Sequence, residues 1–165
     1  MLLVRHSVPE VDPAQSAEAW PLSEEGRRRC GPLAARLAVH EPTAIVSSTE
    51  PKARETAELV GTELGLEVRE DAALRETARR TVSWLKPEEF RRAVRTLFEH
   101  PDEVVFGEES ASGALARFSA AVDDLSEETV VVSHGTVISL YAASRTGRDA
   151  FEFWSALELP DLVVV

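Results

Sequence analysis

Short apolar runs alternate with helical patterns along nearly the whole chain of 165 residues. The apolar runs are MLLV, TAIVSS, LEVRE, TVVVS and the closing ALELPDLVVV. Such alternation is typical of α/β folds, because parallel strands need long crossover connections, which are usually helical. The run TVVVS is continuously apolar, as strands buried on both faces are. The sequence therefore predicts an α/β fold with a mostly parallel central sheet.

Helical patterns fill the intervals between these runs. Ser23 is placed to cap the first helix, while Pro51 and Gly65 are placed to begin and end the second. The pattern predicts helices over 21–40, 50–65, 86–100, 111–125 and 135–146, and a proline-rich loop over 7–21. Because the sequence contains no linker and no break in composition, we expect a single domain over 1–165. The C-terminal run is expected to be an internal strand.

The composition limits the compartment and the partners. A net charge of −11 disfavours a general nucleic-acid surface, although clustered arginines still allow a local pocket for a small anion. Cys30 is the only cysteine, which excludes an intrachain disulfide and paired-cysteine metal or redox sites. No apolar run approaches the roughly 20 residues that span a bilayer. We expect a cytoplasmic protein with no membrane partner, and the sequence leaves the oligomeric state open.

Basic and histidine side chains stand where predicted strands end. LLVRHS ends the first strand with Arg5 and His6, and TVVVSHG ends a central strand with His134 before Gly135. Ligands of open α/β sheets bind beyond the carboxyl ends of the strands. A helix beginning near Gly135 would add free N–H groups, which favour an anion. Taken singly, each histidine also fits a buried structural role; together these groups predict a phosphate-like ligand.

Four segments carry a family resemblance. LVRHS, SSTEPKARETA, LRE and VVSHG resemble, in order and approximate spacing, the signature segments of the histidine phosphatase superfamily, the phosphoglycerate-mutase-like proteins. The resemblance spans nearly the whole chain and suits the small phosphatase branch. It implies a three-layer α/β/α sandwich, a small phosphorylated metabolite as substrate, and neither a metal nor another cofactor.

The resemblance also implies roles for individual residues. His6 would attack phosphorus and form a phosphohistidine, which suits an imidazole that is neutral near physiological pH. Arg5 would clamp phosphoryl oxygens, and His134 would stabilise charge in the transition state. Glu76 would protonate the leaving alkoxide. The N–H of Gly135 would add a further donor.

The chain departs from the family pattern at several positions. Ser7 replaces the glycine of the first motif, where its hydroxyl would either contact phosphate or crowd the backbone. Lys52 falls on the position of the second phosphate-binding arginine, and it keeps the charge without the bidentate fork. Arg54 would point away from Lys52 on a helix, so we expect Lys52 to be the ligand. Asp12 receives no binding role, because a carboxylate there would repel phosphate unless it is protonated or turned away.

These observations favour a phosphatase acting on an ordinary phosphomonoester. Two alternatives stay open: a protein-phosphohistidine phosphatase, and a phosphate-binding regulatory module without turnover, which Ser7 and Lys52 motivate. A serine hydrolase is disfavoured because the chain has no GxSxG elbow.

The segment after Glu76 contains no recognisable motif. Arg79, Arg80 and Trp84 would either recognise the leaving group or lie on the surface. Trp20 and Trp154 are expected to be packing residues.

Overall fold

A single five-stranded sheet organises the chain. The computed structural model describes residues 1–82 and 84–165. The strands are β1 (Leu2–Arg5), β2 (Ala44–Ser47), β3 (Val68–Glu70), β4 (Thr129–Ser133) and β5 (Asp161–Val164). Their order is β3-β2-β4-β1-β5, and only the β1–β5 pair is antiparallel. The predicted mostly parallel sheet is thus confirmed.

Helices connect the strands much as the sequence predicts. They are α1 (Glu24–Ala38), α2 (Pro51–Leu64), α3 (Pro87–Glu99), α4 (Ala111–Val122), α5 (Gly135–Thr146) and α6 (Ala150–Ala156). Ser23 caps α1 by accepting a hydrogen bond from the Gly26 N–H, and Gly65 follows α2 in the left-handed conformation. Helix α6 was not predicted, because seven residues are too few to show a clear helical period.

Both faces of the sheet are covered. Leu3 and Val131 point into one apolar core, which α4 and α5 complete, whereas Leu2, Val4 and Val130 point into a second core under α1 and α2. Side chains that alternate between two buried faces explain why successive positions in the middle of these strands are apolar. The arrangement is the expected three-layer α/β/α sandwich.

The C-terminal strand differs from the expectation. We expected an internal strand, but β5 lies at the edge of the sheet and pairs only with β1. The other neighbour of β1 is β4, so β5 pairs with the remaining side of β1, and no further strand among residues 1–82 and 84–165 pairs with β5. Val164 is accordingly 60% exposed. No helix in the described part of the chain is long and apolar enough to cross a membrane.

Candidate active site

The carboxyl ends of three parallel strands build the site. His6 follows β1 and donates its N–H to the Ser133 carbonyl, while Ser48 follows β2 and donates to the Val132 carbonyl. The rings of His6 and His134 meet edge to face, with centroids 5.1 Å apart. They border a cavity of about 510 Å³ whose polar end is lined by Arg5, His6, Lys52, Glu76, His134 and Gly135. The predicted convergence of these segments is therefore present.

Hydrogen bonding fixes the tautomer of His6. Its Nδ1 lies 2.7 Å from the Ser7 carbonyl oxygen, which can only accept, so Nδ1 carries the proton. Nε2 is left with a free electron pair. Burial lowers the pKa of His6 well below its usual value, and the neighbouring His134 and Lys52 lower it further. A buried, neutral imidazole with an unprotonated Nε2 is what a nucleophile requires.

His134 is hydrogen-bonded through Nε2, whereas His6 is hydrogen-bonded through Nδ1. The Nε2 of His134 lies 2.8 Å from Ser48 Oγ, which itself accepts a hydrogen bond from the Glu50 N–H. In the tautomer in which the Ser48 hydroxyl donates to Nε2, the proton of the neutral ring resides on Nδ1. Burial lowers the pKa of His134 well below its usual value. Nδ1 is buried without a hydrogen-bond partner among the described residues, and in that tautomer it can donate to a bound oxyanion.

Arg5 and Gly135 lie in contact at the same end of the cavity. The Nη1 of Arg5 donates to the Leu157 carbonyl at 2.8 Å, while its Nε is buried with no partner in the part of the chain that the structure describes. A Cβ at Gly135 would lie 3.1 Å from Arg5 Nε and 3.4 Å from Trp154 Nε1. Glycine therefore lets the first turn of α5 approach the guanidinium closely.

Glu76 is held at the beginning of α5. Its Oε1 accepts from the Thr77 N–H at 2.8 Å, and its Oε2 accepts from the Thr136 N–H at 3.1 Å. The adjacent Arg75 lies 3.5 Å from Glu109 instead, so the simple Arg75–Glu76 ion pair that would compete with a catalytic role is not formed. The carboxyl group of Glu76 is buried and borders the cavity.

Of the two basic candidates in α2, the structure brings Lys52 into the site and leaves Arg54 outside. Lys52 is 5% exposed, and its ammonium donates to the Ala17 carbonyl at 2.7 Å and to Glu50 Oε2 at 2.5 Å. An ammonium has three protons, so one remains for a ligand. Arg54 is turned outward, with its Nε 3.7 Å from Glu58.

Sequence reasoning missed Glu50. While its Oε2 accepts a hydrogen bond from Lys52, its Oε1 accepts one from the Glu76 N–H at 2.8 Å. The same Oε1 lies 3.6 Å from His134 Nε2. One carboxylate thus connects three residues of the site. The available signal was its place directly before Pro51, at the cap of a helix that follows a strand end.

Ser7 requires a correction. Its hydroxyl is fully buried and donates to the Gly26 carbonyl at 2.8 Å, and its N–H donates to Thr56 Oγ1 at 3.0 Å. These bonds tie the end of β1 to α1 and α2. Ser7 has a structural role here, because its only hydroxyl proton is engaged away from the cavity. Asp12 is likewise turned away, and its carboxylate accepts from the Ala14 N–H.

Sequence reasoning also missed Arg117 and Glu109, which support the loop that carries Glu76. Arg117 of α4 donates to the carbonyls of Ala73 and Arg75 at 2.6 and 3.0 Å. Its guanidinium also pairs with Glu109, at 2.8 Å between Nη2 and Oε2. The loop is therefore anchored through its backbone, which no local sequence pattern reveals.

The residues after Glu76 divide between the cavity and the surface. Arg79 and Trp84 line the cavity, whereas Arg80 is exposed and pairs with Glu18 at 3.0 Å. Trp20 and Trp154, which were expected only to pack, also border the cavity. Within residues 1–82 and 84–165, no group of three or more His, Cys, Asp or Glu side chains is arranged to hold a metal ion.

Comparison with known proteins found a family model that matches nearly the whole chain. Over residues 1–163 the chain matches the family model described as histidine phosphatase superfamily, branch 1. Comparison with curated proteins found no match.

Solved structures have the same fold. The chain is 27% identical to mycobacterial hydrolase 1, with a TM-score of 0.76, covering 96% of this chain and 85% of that one. It is 25% identical to a mycobacterial glucosyl-3-phosphoglycerate phosphatase in complex with VO3, with a TM-score of 0.75 and coverage of 94% and 84%. Likeness to a mutant phosphoserine phosphatase from Entamoeba histolytica, at 16% identity, a TM-score of 0.72 and coverage of 98% and 93%, shows the fold alone.

The family match and the phosphatase neighbours support phosphoric monoester hydrolysis as the class of reaction. The match leaves only the last two residues of the chain uncovered. The chain belongs to the histidine phosphatase superfamily.

Proposed function

We propose that this protein is a metal-independent phosphatase that hydrolyses a small phosphomonoester through a phosphohistidine at His6. The observation that carries the proposal is the state of His6: buried, neutral, with its proton fixed on Nδ1 by the Ser7 carbonyl. Such a ring offers an electron pair at Nε2 without first losing a proton. The cytoplasm stays the expected compartment.

In the first half-reaction, Nε2 of His6 attacks phosphorus while the bond to the leaving oxygen breaks. Glu76, in its protonated form, donates its proton to that oxygen, so that a neutral alcohol departs. The phosphoryl group then resides on His6. Two N–H donors hold the carboxyl group of Glu76 at the edge of the cavity, where it can reach a leaving group.

In the second half-reaction, water attacks the phosphohistidine. The Glu76 carboxylate, left by the first step, takes a proton from that water as the new P–O bond forms and the P–N bond breaks. Inorganic phosphate and neutral His6 result, and Glu76 is protonated again. Each group thus returns to its starting state.

Positive charge and N–H donors within the chain supply the electrostatic stabilisation. Arg5 Nε and His134 Nδ1 lack other partners among the described residues, and Lys52 has one proton beyond its two bonds. Donors fixed before the reaction stabilise the developing charge on the phosphoryl oxygens without reorganisation.

The test is hydrolysis of p-nitrophenyl phosphate in excess EDTA, with the wild type compared with His6→Ala. The proposal expects activity that survives EDTA and is lost in His6→Ala. His40→Ala, which removes an exposed histidine after α1, is the matched control and should retain full activity. Activity that EDTA abolishes, or that persists without His6, would contradict the proposal.

A second comparison tests the role of Glu76 and the kind of ester. Glu76→Gln should reduce hydrolysis of an alkyl phosphate far more than that of p-nitrophenyl phosphate, because only the alkoxide needs protonation. Equal losses on both substrates would remove the general-acid role. A protein-phosphohistidine phosphatase would instead show little dependence on Glu76 with a phosphohistidine substrate, whose leaving group is good.

One observation favours a second candidate, a phosphate-binding module without turnover. Glu50 partly neutralises Lys52 and places a second carboxylate beside Glu76. Such a module would bind vanadate or phosphate and leave p-nitrophenyl phosphate intact. The assay above, combined with a vanadate titration, separates the two functions.

A further inference from the structure

The cavity at the active site is larger than a phosphoryl group requires. Its volume of about 510 Å³ lies within the range of pockets that enclose whole small molecules. The phosphate-binding groups make up only part of its lining. The rest of the lining is available to the leaving group of the substrate, and its chemistry indicates which alcohols fit.

Most of this remaining lining consists of aliphatic and aromatic side chains, which we call the apolar wall. Its members are Val82, Trp84, Leu85, Phe90, Phe106 and Trp154. Beyond the catalytic groups, the described lining offers few polar groups, namely the side chains of Gln15, Arg79 and Thr136 and the indole N–H groups of its tryptophans. The hydroxyl groups of a sugar would lose hydrogen bonds to water at this wall and regain few of them, which is costly.

Three aromatic members of the apolar wall, Phe90, Phe106 and Trp154, are held in place by contacts within the chain. The Phe90 ring packs edge to face on Phe106 and tilted on Trp154, with both centroid distances 5.8 Å. The Arg79 guanidinium lies over the same two phenyl rings, 4.9 Å from the centroid of Phe90 and 5.4 Å from that of Phe106. A preformed wall binds an apolar group without a large ordering cost.

The mouth of the cavity exposes further apolar surface. Trp84 is 46% exposed and Val11 is 50% exposed, and both line the cavity. A ligand that covers large apolar side chains around a pocket removes their surface from water, which makes binding more favourable. A leaving group long enough to reach the mouth would bury both.

We propose that the substrate is the phosphomonoester of an apolar alcohol, whose hydrocarbon body of several carbons lies against the apolar wall while its phosphoryl group meets His6. This inference rests on the proposed function for turnover. The binding preference, in contrast, belongs to the cavity itself and is measurable without turnover.

The test uses ethyl, butyl and hexyl phosphate, whose alkoxide leaving groups have similar basicity. The proposal expects kcat/KM to rise by up to about fourfold for each methylene that the wall buries. Glycerol phosphate and glucose 6-phosphate should be poorer substrates than butyl phosphate. Equal kcat/KM for ethyl and hexyl phosphate, or a preference for glucose 6-phosphate, would overturn the inference.

Two variants test whether the apolar wall causes the dependence of kcat/KM on the length of the alkyl chain. Trp84→Ala should reduce the gain per methylene to below about twofold, because it removes the largest exposed part of the wall. Val39→Ala, which alters a 76% exposed valine at the end of α1, is the matched control and should keep the wild-type dependence on chain length. An unchanged dependence in Trp84→Ala would contradict the assignment of this surface.

Non-hydrolysable phosphonates separate this inference from the proposed function. Ethyl- and hexylphosphonate are titrated into the wild-type protein by calorimetry. Tighter binding of hexylphosphonate supports the apolar wall even if no ester is hydrolysed, in which case only the proposed function fails. Equal affinity for both, or no binding of either, overturns the inference whatever the turnover.

Discussion

At the residue scale, the Lys52–Glu50 pair distinguishes this site from the family pattern that the sequence resembles. Arginine would offer two parallel N–H groups to phosphate, whereas Lys52 offers a point charge, and part of that charge is offset by Glu50 at 2.5 Å. Both side chains are almost fully buried, so water screens them little. The strength of anion binding should therefore depend on the charge of Glu50.

Glu50→Gln tests this dependence. Glutamine has a single acceptor oxygen, so it keeps the hydrogen bond from Lys52 or the one from the Glu76 N–H but not both, and it removes the negative charge near the bound anion. We expect vanadate to bind on the order of tenfold more tightly, or ~1.4 kcal/mol, measured by competitive inhibition or calorimetry. Unchanged or weaker binding would mean that Glu50 assists the ligand by orienting Lys52.

The positions of site residues were predictable where a strand end and a motif set them. Arg5 ends β1, while His6, His134 and Gly135 follow the ends of β1 and β4, and the structure brings all four to one cavity. The positions of Glu50 and the engaged hydroxyl of Ser7 were not predictable, because each depends on a partner from a distant segment.

At the element scale, the loop after Leu74 is the least regular part of the site and the most dependent on its neighbours. Arg117 and Glu109 hold its backbone, and Glu108 accepts from the N–H groups of Arg80 and Thr81. Gly107 allows this contact: it has a φ of 93°, and a Cβ there would lie 2.1 Å from the Ala78 carbonyl oxygen. Backbone therefore packs directly on backbone, which only glycine permits.

Gly107→Ala should displace this loop and with it Glu76. We expect a loss of stability of ~1–3 kcal/mol from the backbone conformation, and a lower kcat on alkyl phosphates, measured by urea unfolding and steady-state assays. The matched control is Gly31→Ala on exposed α1, where a Cβ meets nothing within 4 Å. Because Pro32 follows, the usual gain of about 0.5–1 kcal/mol for alanine in a helix is offset, so that change should leave the stability close to that of the wild type and kcat unchanged. Equal effects of the two substitutions would refute the packing argument.

Three other segments, the 7–21 loop, α6 and β5, show why parts of the structure were not predicted from the sequence. Trp20 and Trp154 were expected to pack, yet they border the cavity because α6 and the 7–21 loop fold back over the carboxyl edge of the sheet. The edge position of β5 has a similar origin. The apolar pattern of a sequence identifies a buried strand. It does not identify the strand that lies beside it in the sheet, because that depends on how the chain connects the strands.

At the scale of the whole molecule, the site couples function to stability through two buried imidazoles. Burial lowers the pKa of both His6 and His134, so the folded protein keeps them neutral at pH values where the unfolded chain takes up protons. The contribution of these two imidazoles to the free energy of unfolding should thus be constant above about pH 6.5, the ordinary histidine pKa, and fall as the pH drops below it.

Urea unfolding between pH 5 and pH 7.5 measures this effect. Each imidazole should contribute a slope of up to about 1.4 kcal/mol per pH unit below pH 6.5. His6→Gln should therefore make the acid dependence shallower by about one such slope. A wild-type curve that is flat down to pH 5, or an identical slope in the variant, would show that the imidazoles are not held neutral.

The central claim, covalent catalysis by His6, is tested most directly by trapping the intermediate. The protein is mixed with radiolabelled phosphomonoester in EDTA, quenched in alkali during turnover, and digested for peptide mapping. The account predicts a phosphoryl group on the peptide that contains His6, stable in alkali and lost in acid, and absent in His6→Gln. Turnover without a labelled peptide, or a label on another residue, would contradict it.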